Sequence, residues 1–140
     1  MPALFLHGGP GFHARVERAW FGDRLPIHWW DQPAIAAEDR APMRTLVDAA
    51  ATELDRLAHA AGGPVSLVAH SFGGQIARAL AEAMPGSIDR IVLLGSPFDP
   101  VDAHLRFAKS LVNAGADTPE LVRALDGVSA NVNPDSLLGV

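Results

Sequence analysis

The chain has 140 residues, 49% of them hydrophobic and 19% charged, with a formal net charge of −5 at neutral pH. That length suits one domain able to bury on the order of two-thirds of its extended surface, and the apolar content excludes a disordered chain. Zero cysteines exclude disulfides, cysteine–zinc sites and a thiol nucleophile, while a single lysine, Lys109, in an acidic chain leaves no patch for nucleic acid. Arginine greatly outnumbers lysine and alanine is abundant, a compositional habit rather than a functional signal.

Taken in chain order, strand and helix signals alternate, which predicts an α/β fold: a parallel sheet with helices on both faces. Ala3–Leu6 is a short apolar strand ending at the loop His7-Gly8-Gly9-Pro10-Gly11. It is too short for a signal core and lacks a basic lead-in, so a cytoplasmic location is the default expectation. Residues 13–21 read as a short helix with Val16, Ala19 and Trp20 on one side, and Pro26–Trp30 as a strand packed on both faces. Pro42–Ala61 is the clearest helix. Met43, Leu46, Val47, Ala50, Leu54, Leu57, Ala58 and Ala61 predict one buried stripe, with Pro42 in the first turn and Gly62-Gly63-Pro64 as the stop.

Val65–Ala69 then reads as a central strand of a parallel sheet. A helix follows from Gly73 or Gly74 to Pro85, with Ile76, Ala77, Leu80, Ala83 and Met84 turned inward, and Ile91–Leu94 reads as a fourth strand. Beyond it the alternation stops. Residues 101–112 predict an amphipathic helix, and Asp117-Thr118-Pro119-Glu120 starts another through Leu121, Val122 and Leu125. No apolar run is long enough to span a membrane.

The strongest chemical feature is Ala69-His70-Ser71-Phe72-Gly73-Gly74, between a strand and a helix. A serine in that turn, with small residues two positions either side, has the pattern of a nucleophile elbow: the backbone nearly meets itself, so positions 69 and 73 must be small. The bend lifts the Ser71 hydroxyl clear of the sheet and puts a helix N-terminus beneath a developing negative charge. A serine capping a helix after a glycine-rich turn would read the same way locally. The loop His7–Gly11 also follows a strand, and in a parallel sheet both strands end on one edge with their loops facing each other. A glycine-rich loop there can turn N–H groups toward the oxyanion formed when Ser71 attacks an acyl carbon.

Residues 1–99 resemble the first half of the α/β-hydrolase fold. His7–Gly11 resembles the oxyanion loop of proline iminopeptidase-like members, and Ala69–Gly74 resembles the serine elbow of the esterase, lipase and thioesterase group. The resemblance implies Ser71 as nucleophile, the N–H groups of Gly9 and Phe72 as oxyanion hole, and neither a metal nor an organic cofactor. Serine at the elbow sets the chain apart from the dehalogenase and epoxide-hydrolase branches, which carry aspartate there. Two departures from the iminopeptidase pattern, Asp31-Gln32-Pro33-Ala34 in place of Asp-Gln-Arg-Gly and fewer glycines before Ser71, shift the expected small-molecule acyl substrate toward a carboxylic ester or thioester. Peptide cleavage at an N-terminal proline is the alternative.

A serine hydroxyl needs a histidine base oriented by a carboxylate, and in this fold the order is Ser, acid, His. Only His104 follows Ser71, on the helix where the family places a cap. His70 should point away from Ser71, His7 and His13 flank the loop and suit holding it, His59 sits on the long helix and His28 in a strand. Asp99 reads as a turn residue before Pro100, and Asp102, Asp117, Asp126 and Asp135 as helix ends or solvated loops. Ile91–Leu94 would be an open edge, suited to self-association. Residues 1–99 are therefore expected to be the N-terminal part of a hydrolase core truncated before its last strands, and 100–140 the start of a helical cap or lid. The expected function is acyl-bond hydrolysis through an acyl-Ser71 intermediate, weak in the 140-residue chain alone, against a non-catalytic binding module.

Overall fold

Four strands, β1 (Ala3–Leu6), β2 (Ile27–Trp30), β3 (Val65–His70) and β4 (Ile88–Leu94), form one wholly parallel sheet in the order β2-β1-β3-β4. This computed structural model describes residues 3–10, 12–115, 119–120, 122–123 and 127. Helices α1 (Arg15–Phe21), α2 (Pro42–Ala61) and α3 (Gly73–Ala83) fill the crossovers, as parallel pairing requires. A second compact unit begins at Asp99 and contains α4 (Pro100–Asn113).

The period of two along β3 alternates Val65, Leu67 and Ala69, all buried, with half-buried Ser66, Val68 and His70. The buried set joins Leu4 and Leu6 of β1, and α2 and α3 add Leu46, Ala50, Leu54, Leu57, Ile76, Ala77 and Leu80 to one core. These spacings of three and four put each helix's apolar stripe on the sheet. Truncating a fully buried residue of that stripe, such as Leu54, would cost roughly 2–5 kcal/mol. On the opposite face, the Phe5 and Trp29 rings meet with centroids 4.9 Å apart.

The structure departs from the sequence expectations in four places. No residue of α1 is buried, and its expected apolar side is exposed at Val16, Ala19 and Trp20. Met43 and Ala61, at the ends of the α2 stripe, are exposed as well, and so is Ala83, which sits at the last position of α3 rather than turning inward. β4 starts three residues earlier, at Ile88, and Ile91–Leu94 are 37–45% exposed because among the described residues no strand pairs with its outer edge. Of the helix expected after Asp117, residues 119, 120, 122 and 123 are helical, whereas Asp117, Thr118, Leu121 and Leu125 lie outside the described residues.

Glu53 links α2 to the β2 edge, meeting Arg56 at 2.7 Å and His28 Nε2 at 2.5 Å. The Arg56 hydrogen bond, followed by attraction to Arg56 and His28, holds the Glu53 carboxyl below its ordinary value of 4.5 against the opposing effect of burial. A depressed folded-state value means the unfolded chain binds the proton first, so this contribution is complete above pH 4.5 and is lost as pH falls through the folded-state value. Urea titrations from pH 6 down to pH 3 are therefore expected to show wild type losing its advantage over Glu53→Gln at the acid end. A difference between the two proteins that stays constant with pH would contradict this assignment.

Candidate active site

β3 ends at His70, α3 begins at Gly73, and Ser71 and Phe72 make the whole connection. Such a short link demands unusual backbone, and Ser71 is the sole non-glycine residue with positive φ, at 50°, among the described residues. An L-residue in that region costs roughly 1–2 kcal/mol, so its surroundings must impose it. They do so through hydrogen bonds at both of its backbone groups. The Ser71 N–H donates to the Leu94 carbonyl at 2.9 Å, and the Ser71 carbonyl accepts from the Gly74 N–H at 3.0 Å. Ser96 Oγ reaches back to the Ala69 carbonyl at 3.3 Å, and Gln75 Nε2 donates to the Pro97 carbonyl at 2.6 Å, tying the end of β4 to the same turn.

Gly73 explains why the turn tolerates no larger residue at that position: a β-carbon there would run into the carbonyl oxygen of Leu6 and lie 2.9 Å from that of His7. The start of α3 thus rests directly on the end of β1. That contact brings the two sequence motifs together, since a β-carbon at Gly8 would lie 3.1 Å from Cβ of Ser71. Gly9 follows with φ 62°. The loop carrying Gly9 and the turn carrying Ser71 and Phe72 are therefore adjacent on one edge of the sheet. Gly11 lies outside the described residues.

The loop is held by His7 and by two residues that sequence reasoning did not assign, Asp31 and Gln32. His7 is fully buried, and its Nε2 accepts the Gln32 N–H at 3.0 Å. With Nε2 accepting, the hydrogen-bond network assigns the ring proton to Nδ1, which donates to the Gly8 carbonyl at 2.9 Å. Gln32 Nε2 donates to the His7 carbonyl at 2.9 Å, while Gln32 Oε1 is buried without a partner. The neighbouring Asp31 accepts the Ala14 N–H at 2.7 Å, fixing the approach to α1. His7 thus holds the loop, as its position suggested, and Asp31 and Gln32 after β2 supply the anchors.

His70 Nδ1 donates to Glu17 Oε1 of α1 at 2.9 Å, and the ring lies over Gly8, 3.2 Å from where a β-carbon would be. The pair docks α1 beside the elbow. No spacing signal could have found it, because 53 residues separate the partners. Of the remaining histidines, His28 pairs with Glu53, His59 is on α2, His13 is exposed before α1, and His104 belongs to α4 of the second unit. Asp99 accepts the Asp102 N–H at 2.9 Å and caps α4, so it is a helix cap rather than a bare turn residue. Asp102 pairs with Arg106, while Asp117, Asp126 and Asp135 lie outside the described residues. Among the described residues no histidine is hydrogen-bonded to Ser71, and no three His, Asp or Glu side chains converge as metal ligands do. No described helix is long and apolar enough to cross a membrane.

A parallel sheet with a serine forced into left-handed backbone at a strand–helix turn, facing a glycine loop, defines an α/β-hydrolase. The chain belongs to that family: the sequence model described as alpha/beta hydrolase fold matches residues 4–124. Among solved structures it is similar to NosK from Streptomyces actuosus, with 23% identity and a TM-score of 0.54 over 90% of this chain and 56% of that one. It is also similar to BpoC from Mycobacterium tuberculosis, described as a non-heme bromoperoxidase, with 20% identity and a TM-score of 0.53 over 99% of this chain and 54% of that one. Rv0554 from the same organism gives 23% identity and a TM-score of 0.55 over 88% and 47% of the two chains. At these identities the likeness establishes the fold, and the chain spans about half the length of these structures. No curated protein sequence matches it.

The left-handed backbone at Ser71 has a measurable consequence. Glycine at this position escapes the steric cost, whereas alanine keeps it, so Ser71→Gly is expected to be about 1 kcal/mol more stable than Ser71→Ala. Urea midpoints of the two variants decide the matter, and equal midpoints would remove the strain from Ser71.

Proposed function

We propose that the chain carries the nucleophile and oxyanion half of a serine hydrolase that cleaves a carboxylic ester or thioester through an acyl-Ser71 intermediate. The observation that carries this reading is the backbone of Ser71, held at φ 50° by hydrogen bonds and placed against Gly8 of the glycine loop. Strain maintained at a single polar residue on a sheet edge points to function. In the reaction the Ser71 hydroxyl oxygen attacks the acyl carbon and its proton passes to a base. The carbonyl oxygen becomes an oxyanion facing the Gly9 and Phe72 N–H groups, and the alcohol or thiol leaves. Water then releases the acid. His7 serves this site as a brace, since both its ring nitrogens are engaged with the loop and its anchor.

Residues 1–99 form the core part in this reading and residues 100–140 begin a cap. The division of the structure between Phe98 and Asp99 supports that assignment. With no base hydrogen-bonded to Ser71 among the described residues, oxyanion and binding contributions alone leave acceleration of about 10³–10⁴ over water. The 140-residue chain is therefore expected to turn over p-nitrophenyl acetate far more slowly than an ordinary esterase, yet to become phosphonylated at the Ser71 oxygen, with loss of fluoride, by a reactive alkyl fluorophosphonate. Peptide mass spectrometry locates the adduct. Modification at another residue, or an equal yield in Ser71→Ala, would sink the reading. Proline p-nitroanilide run beside the ester tests the peptidase alternative, which requires the amide to be preferred.

A second reading, a binding module, is favoured by one observation: the open parallel edge of β4 with Ile91, Val92, Leu93 and Leu94 all exposed. Beside it, a groove of about 190 Å³ between α3 and β4 is lined by Gln75, Arg78, Ile91, Leu93 and Phe98 among others, and does not include Ser71. An unpaired apolar edge accepts another strand. On this reading the chain self-associates through β4, and light scattering should give a dimer that Val92→Lys returns to monomer. A wild-type monomer across micromolar to millimolar concentration would eliminate it.

A further inference from the structure

We infer that Glu17 and His70 are a positioning pair for the oxyanion loop, setting the direction in which the Gly9 N–H faces an acyl group on Ser71. The inference deepens the serine-hydrolase reading above and rests on it for the part Gly9 plays. The Gly9 N–H shares one planar trans peptide with the Gly8 carbonyl, so the two point in opposite directions and whatever turns one turns the other. His7 Nδ1 holds that carbonyl at 2.9 Å. A peptide held by its oxygen alone can still rock about that bond. The second restraint lies at the Gly8 α-carbon, which rests on the elbow: a β-carbon there would stand 3.1 Å from Cβ of Ser71 and 3.2 Å from Nδ1 of His70. The Ser71 half of this support is fixed by backbone hydrogen bonds, whereas the His70 half is a side chain free to turn unless something holds it.

Glu17 holds it. Its Oε1 accepts from His70 Nδ1 at 2.9 Å, and Nδ1 is the same atom that faces Gly8. A ring bound at that atom has its rotation about the Cβ–Cγ bond fixed, and with it the edge presented to Gly8. Helix α1 supports the assignment independently, because Glu17 is the one residue of Arg15–Phe21 that is not exposed. A surface helix ordinarily shelters an apolar stripe. This one shelters a carboxylate, with 21% of its side chain exposed, and spends it on the residue next to the nucleophile. A partly exposed pair of this kind adds little to stability, so its effect falls on the loop rather than on the fold. Outright loss of an oxyanion donor slows acyl transfer roughly 10²–10³-fold, and a donor that tilts is lost only in part, which sets the expected effect at about tenfold.

Saturation kinetics of fluorophosphonate labelling at Ser71 separate this role from others. Glu17→Leu is expected to lower the limiting labelling rate about tenfold while leaving the half-saturating concentration and the urea midpoint unchanged. Glu17→Gln, whose amide oxygen still accepts from Nδ1, should label at close to the wild-type rate. A purely structural role would lower the urea midpoint and the fraction of chains labelled without slowing the folded ones, and that outcome overturns the inference. So does a rise in the half-saturating concentration alone, which would make Glu17 a substrate contact, and so does equal slowing in both variants. A second readout needs no reaction. In protein carrying nitrogen-15 glycine, the Gly9 amide resonance should shift or broaden in Glu17→Leu and keep its place in Glu17→Gln. Failure of the wild type to label at Ser71 defeats the hydrolase reading, and the Gly9 resonance then decides the pair: displaced in Glu17→Leu, it upholds the positioning of the loop, and unmoved, it overturns that too. Wild-type labelling with equal rates in Glu17→Leu and an unmoved Gly9 resonance defeats the positioning pair alone.

Discussion

The rest of the structure depends on one close approach: the start of α3 lies on the end of β1, with Gly73 against the carbonyl oxygen of Leu6. Interiors are packed too tightly to absorb an added methyl group at such a point, and here the obstacle is backbone, which cannot rotate aside. With this contact made, β3 must turn into α3 within two residues, and one of them must adopt positive φ. It also sets the Ser71 turn beside the loop that leaves β1. The core is consistent with the same geometry, because Leu6 points into it one residue before the loop and Ile76 enters it one turn into α3. Packing and site geometry are two results of a single contact.

Around that contact the loop is secured in layers. His7, fully buried, uses both ring nitrogens, and Gln32 grips its ring and its carbonyl together. Each buried polar group left unpaired would cost about 1–3 kcal/mol, so these bonds act chiefly by making any other loop position expensive. Gln32 comes from the end of β2, the strand paired with β1, and Asp31 beside it holds the entry to α1. A third tie, Glu17 to His70, closes the ring from α1 back to the elbow. Thus β1, β2, β3 and α1 are joined at one edge of the sheet by a handful of polar contacts.

The sequence revealed whatever is local. The turn at Ser71 is legible because its demands fall on neighbours, small residues at 69 and 73 and a strand and a helix on either side, and α2 is legible because its stripe repeats within one element. Loop-to-loop adjacency followed from topology, since parallel strands end on the same edge. The anchors were not legible. Gln32 to His7 spans 25 residues and Glu17 to His70 spans 53, and a lone glutamine or glutamate carries no periodic signal. The apolar side of α1 misled for a related reason: Val16, Ala19 and Trp20 form a stripe by spacing, but spacing does not say whether a sheet or solvent lies beneath it. β4 shows the converse. Its run of aliphatic residues has the composition of a central strand, yet no further strand signal follows it, and the strand order bears out the expected open edge among the described residues.

A serine turn held in place with no histidine hydrogen-bonded to it among the described residues is physically coherent. The conformation of Ser71 is imposed by backbone bonds to Leu94 and Gly74 and by the Gly73 contact, none of which involves a histidine side chain. The roughly 1–2 kcal/mol held in that residue is offset by the core that α3 joins, so the turn forms whenever the sheet and α3 form together. Positioning of the hydroxyl and of the glycine loop is therefore a property of β1, β3, β4 and α3 together. Proton transfer is a separate requirement that this unit does not meet. The open face of β4 follows the same division, since the turn needs β4 only as a neighbour of β3 and requires nothing on its far side. What assembles the serine turn and what would activate it are thus encoded in different parts of the architecture, and the first can persist in the absence of the second.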